Sequence, residues 1–221
     1  MTARPPQVIA VDGPAASGKG TLARRLARHF GFAYLDTGLL YRAVGLRLLR
    51  AGLEPKNETA AIAAAGAVTP AELADPALRS EAAGEAASAV ARIPGVRQAL
   101  LDLQRRFAAA PTDERGRPAK GAVIDGRDIG TVICPDAPVK LFVNASLETR
   151  AKRRHKELLD RGEAIIYARV LEDMERRDQQ DRSRSVAPLA KAPDAFEIDT
   201  TKLDADGAFA AALGFIGSRL D

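Results

Sequence analysis

Cysteine is almost missing from this chain. A single Cys134 excludes an internal disulfide and a cysteine-ligated zinc site. The two histidines, His29 and His155, are too few for a histidine-rich metal centre. Aromatic residues are 5% of the sequence, and the arginines between 150 and 184 lack the interleaved aromatics that stack on single-stranded bases. No apolar run reaches the length of a membrane span. Residues Met1 to Gln7 carry no secretory-signal features. There is neither an internal repeat nor a low-complexity tail. The expectation from these absences is a soluble cytoplasmic protein with no membrane and no nucleic-acid partner.

What is present suffices for one domain, 1–221. The chain has 221 residues and is 46% hydrophobic, enough to build a core, with alanine carrying much of that fraction. Its net charge of +4 is mild and suits anionic small molecules as well as nucleic acid.

The stretch that organises the chain is Gly13-Pro14-Ala15-Ala16-Ser17-Gly18-Lys19-Gly20-Thr21. It follows an apolar run, Val8-Ile9-Ala10-Val11, and precedes a helical pattern with Leu22, Leu26 and Phe30 at every fourth residue. Strand, glycine-rich turn and helix form the context of a phosphate-binding P-loop. The glycines let successive N–H groups converge on an anion, and the helix adds its positive dipole end. Lys19 supplies a charge for the outer phosphates of a nucleotide. The general pattern puts Ser or Thr directly after that lysine to hold magnesium. Gly20 stands there instead, with Thr21 one later, so hydroxyl ligation in the usual way is not expected.

Further apolar runs read as strands at Ala33–Leu35, Ala122–Ile124, Val139–Val143 and Phe196–Ile198. Helical patterns alternate with them, and Gly31 is a plausible C-terminal cap of the first helix. This order predicts an α/β fold, a five-stranded parallel sheet flanked by helices with right-handed crossovers. Residues 52–92 differ: they are alanine-rich, broken by Pro55, Pro70 and Pro76, and read as short helices at about 57–66 and 79–91. A longer helix is expected at about 95–109 and a polar loop at 111–120. The organisation expected is a core of 7–51, 94–150 and 169–221, a helical insertion at about 52–93 and a lid at about 150–168.

Some side chains stand where chemistry is done. Asp125 ends a buried strand, and ligands of open α/β sheets bind beyond such ends. It is a candidate to hold Mg²⁺ directly or through water, although Asp125-Gly126 also reads as a plain turn. Arg42 lies early in a helix, where a cation is not placed for the dipole. It either serves something outside that helix or is an ordinary solvated arginine. Ser146 caps a helix with Glu148 in its first turn, and that helix carries Arg150, Lys152, Arg153, Arg154, His155 and Lys156. Arg161-Gly162 ends it, and a second charged helix is expected at about 163–180. A charge run is usually a solvated face. In P-loop kinases such a pair can form a lid whose arginines, here Arg150 and Arg154, neutralise the transferring phosphoryl group.

The order of these blocks resembles that of bacterial cytidylate kinases. The blocks are the P-loop, Leu35-Asp36-Thr37-Gly38 with Tyr41-Arg42, Asp125-Gly126-Arg127-Asp128-Ile129-Gly130-Thr131, Pro135-Asp136-Ala137, and Arg177 through Asp181 to Arg184 with Val186-Ala187-Pro188-Leu189. The likeness runs from about residue 8 to residue 200. It implies a P-loop kinase fold with an acceptor-binding insertion and a lid, acting as a monomer. It implies ATP and Mg²⁺ as cofactors, and CMP or dCMP as acceptor of the γ-phosphoryl group. It implies that Gly13 to Thr21 bind ATP, with Lys19, Arg127 and Arg184 catalytic. By the same resemblance Ser88, Arg97 and Asp128 read the cytosine, Arg42, Arg127 and Arg184 clamp the acceptor phosphate, Arg177 and Asp181 meet the sugar, and Thr37 lies near the acceptor phosphate. A carboxylate suits the cytosine amine and an arginine its acceptors. The family commonly carries a small antiparallel sheet in the insertion. Here the stretch from Thr37 to Ser88 is short and poor in β-branched residues, so a trimmed, helical insertion is expected.

Two other readings fit the residues. One is a kinase of the same fold for UMP or another small acceptor. The other, from a different class, is a P-loop regulatory or RNA-binding ATPase, prompted by the basic stretch 150–184.

Overall fold

The first apolar run becomes the central strand. In the computed structural model, which describes residues 6–113 and 115–220, β1 (Gln7–Asp12) lies between β3 (Gly121–Gly126) and β4 (Val139–Asn144). The edge strands β2 (Ala33–Asp36) and β5 (Phe196–Asp199) complete the order β2-β3-β1-β4-β5. The five strands form the expected parallel sheet. Strands β1 and β3 run in register from Gln7 against Gly121 to Asp12 against Gly126. Residues 8–12 and the whole of β3 are buried, which is why these strands read as continuous runs rather than alternating ones. The reading of the extreme N-terminus falls partly on Met1 to Pro5, outside the described residues.

The chain divides into two compact units. One holds the sheet and every element after Ala110; the other is the segment Asp36–Ala109. In the first, α1 (Lys19–Phe30) ends at Gly31 in the left-handed conformation, φ 64°, as its capping position requires. Leu22, Ala23, Leu26 and Ala27 are its buried face. They pack with Ile9, Val11, Val123 and Leu141 of the sheet in one apolar core.

The segment Asp36–Ala109 is helical. It comprises α2 (Thr37–Arg50), α3 (Glu58–Gly66), α4 (Glu81–Val90) and α5 (Pro94–Ala109), with single 3₁₀ turns at Pro70–Ala74 and Pro76–Arg79. Side chains of Asp36, Asn57 and Ser80 cap α2, α3 and α4. The helix expected from 79 starts two residues later, because the Ser80 hydroxyl accepts the N–H of Ala83 and fixes the first turn there. Helices α2 and α4 meet at Gly45, where a Cβ would stand 2.7 Å from the Ala86 Cβ. Leu40, Val44, Leu48, Leu78, Val96 and Leu100 form this unit's own core.

Back in the sheet unit, α6 (Leu147–Asp160) and α7 (Tyr167–Arg182) follow β4. Ser146 caps α6 through the N–H of Thr149, as expected. Residues 163–166, expected to be helical, are not, and α7 starts at Tyr167 and runs to Arg182. The break is set at Gly162, φ 80°, where the N–H groups of Gly162 and Glu163 return to Leu159 and Leu158. The closing helix α8 (Ala205–Ile216) packs Ala208, Ala212 and Ile216 into the sheet core. Among the described residues no helix is long and apolar enough to cross a membrane.

Candidate active site

The P-loop is built as its glycines dictate. At Gly13, φ 152°, a Cβ would lie 2.0 Å from the Val143 carbonyl oxygen, so only glycine fits against β4. Gly18, φ 88°, is the N-terminal cap of α1, and no side chain caps that end. The first N–H groups of the helix therefore serve the loop, where an anion is favoured. Lys19 opens α1, and its Nζ stands 3.7 Å from Asp125 Oδ1 at the end of β3. The Tyr34 hydroxyl donates to Asp125 Oδ2 at 3.3 Å.

The Asp125 carboxylate also accounts for Gly20. A Cβ at residue 20 would lie 3.0 Å from Asp125 Oδ2. The carboxylate thus occupies the space that a Ser or Thr side chain would enter, and it presents an oxygen beside the loop. An oxygen donor next to a phosphate-binding loop suits Mg²⁺, which dehydrates reluctantly and takes few protein ligands. Among the described residues no group of three or more His, Cys, Asp and Glu could cage a metal.

Beside the loop lies a cavity of about 370 Å³ lined by Gly18, Thr21, Arg153, Glu157, Thr200 and Leu203 among others. Arg153 donates to the Thr200 hydroxyl at 2.9 Å and to the Thr200 carbonyl at 2.6 Å. The Thr200 hydroxyl in turn donates to the Ser17 carbonyl at 2.8 Å. Arg153 therefore reaches the P-loop from α6. The two arginines expected to neutralise the transferring phosphoryl group lie on the same helix. Arg150 is buried, forms two bonds to Asp178 on α7 at 3.0 and 2.5 Å, and touches the Ala15 carbonyl at 3.3 Å. Arg154 pairs with Glu157 at 3.1 Å. Sequence pattern does not single out Arg153 from its neighbours; only the rotation of α6 about its axis separates them.

A second cluster gathers residues far apart in sequence. Arg127 Nε donates to Asp181 Oδ2 at 2.9 Å, and Arg184 pairs with Asp181 Oδ1. Burial pushes the Asp181 carboxyl up, but the guanidinium groups of Arg127, Arg184 and Arg177 outweigh it and hold the group below 3.8. Burial pulls Arg127 down, and Asp181 and Asp125 more than restore its charge. Asp128, next to Arg127, is itself buried. A carboxylate absent from the sequence-based set lies behind it. Asp12 at the end of β1 accepts from the N–H groups of Ile129 and Gly130, each at 2.8 Å. Burial outweighs those two bonds, and with Asp128 and Asp125 nearby raises its pKa from 3.8 to about 7. A carboxylate ending an otherwise apolar strand is the signal that points to it.

In the helical unit, Arg42 donates to the carbonyls of Leu78 at 2.7 Å and Ser80 at 3.1 Å. Its guanidinium lies against Gly84, where a Cβ would be 3.0 Å away. The Ser88 hydroxyl bonds back to the Gly84 carbonyl at 3.1 Å. Arg42 and Ser88 are thus brought to the same stretch of α4. Arg97 is buried on α5, its guanidinium carbon 5.6 Å from the Tyr41 ring centre and one nitrogen 3.4 Å from the Ala91 carbonyl. Thr37 is buried in the first turn of α2.

Solved structures with low identity share the fold. A protein of Eubacterium ventriosum matches over 96% of this chain and 99% of its own, with a TM-score of 0.52 and 18% identity. Shikimate kinase of Bacteroides thetaiotaomicron matches over 95% and 98%, with a TM-score of 0.50 and 9% identity. Sequence relatives are far nearer. A protein of Paramagnetospirillum magneticum named cytidylate kinase is 61% identical over 212 residues, 96% of this chain and 98% of that one. One of Methylocella silvestris with the same name is 57% identical over 214 residues, 97% of this chain and 95% of its own. The sequence model of the family described as cytidylate kinase matches residues 9–216. A match of that extent, on a parallel sheet with a P-loop at its central strand, means that the chain belongs to the cytidylate kinase family.

Proposed function

We propose that this protein moves the γ-phosphoryl group of ATP onto CMP or dCMP, giving ADP and CDP or dCDP, as a cytoplasmic monomer. The observation that carries the reading is the full-length likeness to relatives named cytidylate kinase. The P-loop with Lys19 beside Asp125 supports it. The attacking atom is an oxygen of the acceptor's phosphate, already ionised at neutral pH, so no general base is called for. The protein's work is then positioning and charge.

The P-loop from Gly13 to Thr21 holds the donor phosphates, and Lys19 follows the charge that develops between them. Magnesium, which would be held by Asp125 directly or through water, supplies neutralisation of the phosphate oxygens. Tyr34 orients that carboxylate. Arg153 lines the cavity for the rest of the donor nucleotide, Arg150 supports the loop at Ala15, and Arg154 remains assigned to the transferring group. Arg127, Arg184 and Arg42 take the acceptor phosphate, near Thr37. Arg177 and Asp181 take the sugar. Ser88, Arg97 and Asp128 read cytosine, with Asp128 accepting from its amine. In UMP an oxygen would face that carboxylate instead, a mismatch that buried polar sites penalise heavily.

The test is a panel of nucleoside monophosphates with ATP and Mg²⁺, read as ADP release. CMP and dCMP should exceed UMP in kcat/KM by roughly a hundredfold or more. A preference for UMP or for a purine nucleotide would overturn the reading.

A further inference from the structure

The last residue of the central strand is an aspartate that the chemistry above does not use. After Gln7 strand β1 is apolar until Asp12, which is 5% exposed. Burying a carboxylate is costly unless hydrogen bonds compensate. Its two acceptor bonds are short and well matched, one oxygen to the Ile129 N–H and the other to the Gly130 N–H, both 2.8 Å. These amides follow Arg127 and Asp128 directly.

That stretch of backbone lies beyond the strand ladder. The ladder between β1 and β3 ends at Asp12 against Gly126. Beyond it Arg127 and Asp128 leave the sheet, Asp128 at φ −143° and ψ 25°. The chain then enters a single wide turn, Ile129–Ile133, closed by Ile133 N–H to the Asp128 carbonyl and Cys134 N–H to the Ile129 carbonyl. A turn of this type leaves its first N–H groups without partners inside it. Asp12 supplies both. Gly130 makes the approach possible, since a Cβ there would lie 3.1 Å from the Lys140 side chain and 3.4 Å from Asp12 Oδ2. The same aspartate precedes Gly13, the first residue of the P-loop. One carboxylate thus ties the backbone of the donor loop to the backbone that carries Arg127 and Asp128.

We propose that Asp12 is a positioning residue of this enzyme: by gripping the N–H groups of Ile129 and Gly130 it fixes Arg127 and Asp128 for the acceptor nucleotide. The proposal rests on the acceptor roles assigned above to those two residues. Asp12 is assigned no contact with either nucleotide. It acts through the main chain, where a displacement of about 1 Å can cost on the order of a hundredfold in rate.

Asp12→Asn keeps the shape and one acceptor oxygen, but sets an amide N–H₂ against a backbone N–H. The variant should raise KM for CMP roughly tenfold and narrow the ratio of CMP to UMP in kcat/KM by a similar factor, while KM for ATP moves less than about twofold. A lower melting temperature with both KM values and the base ratio unchanged would show a purely structural residue and overturn the proposal. Equal rises in both KM values would do the same. The wild type is measured first. If it prefers another acceptor, the functional reading fails, and the split is then sought with that acceptor. A second measurement needs no variant: amide exchange in the unliganded wild type should find the Ile129 and Gly130 N–H groups as protected as the β1–β3 ladder. Fast exchange at both would sink the proposal even if Asp12→Asn did not fold.

Discussion

Asp181 pairs with two arginines at once. Arg127 and Arg184 share its two oxygens, and all three side chains are largely withdrawn from water. Under the acceptor-phosphate role proposed for Arg127 and Arg184, Asp181 holds the anion's place between two charged guanidinium groups. Asp181→Ala should remove the carboxylate that the two guanidinium groups share, at a cost of about 3–5 kcal/mol by the usual price of breaking a buried pair. Inorganic phosphate should then stabilise the variant more than the wild type, because the anion restores what was removed. Thermal melts with and without phosphate measure this. Equal shifts in the two proteins would mean that the arginines are not poised for a phosphate.

At the scale of elements, the helices and strands were legible where local rules act alone. The four-residue spacing of Leu22 and Leu26 marks the face of α1 that is buried, Ser146 caps α6, and Gly31 ends α1. What the sequence hid depends on contacts between elements. The wide turn at Ile129–Ile133 has no periodicity of its own and exists because Asp12, in a strand more than a hundred residues earlier, receives its N–H groups. Arg150 and Arg153 look alike in the sequence, yet one is locked to Asp178 and the other lines the cavity. Asp125 was visible from its place at a strand end, whereas its bond from Tyr34 was not, because pairing of the strands decides it. The lock between α6 and α7 gives a prediction. Asp178→Ala strands a buried guanidinium and should lower the melting temperature by roughly 10 °C. Replacing the pair together, Arg150→Met with Asp178→Leu, should recover most of that loss, since apolar side chains can substitute for a buried pair. It should not recover KM for ATP, because the contact to the Ala15 carbonyl is gone with the guanidinium. Full recovery of both would show that Arg150 has no part in holding the P-loop.

At the scale of the whole molecule, two units carry separate cores of different make. The sheet unit buries Ile9, Val11, Leu26, Val123, Leu141 and Ile198 with α8 packed against them. In the unit Asp36–Ala109 about half of the buried apolar residues are alanines, among them Ala61, Ala64, Ala83, Ala86 and Ala87, against about a third in the sheet unit. An alanine offers little apolar area, at about 25 cal/mol per Å² buried, so each helix of that unit is held by less. Its helices are also local structures, joined by short turns, that can open without breaking a strand ladder. We therefore expect the second unit to open below the free energy of global unfolding. Amide exchange of the unliganded protein should find α3 and α4 less protected than β1 and β3. Adding CMP should slow exchange around Ser88 and Arg97, by mass action on the closed form of that unit. A non-hydrolysable ATP analogue should slow it chiefly at the P-loop and the first turn of α1. Uniform protection in both units without ligand would contradict the idea that they are separate cooperative elements. A response to CMP confined to the P-loop would remove Ser88 and Arg97 from the acceptor site.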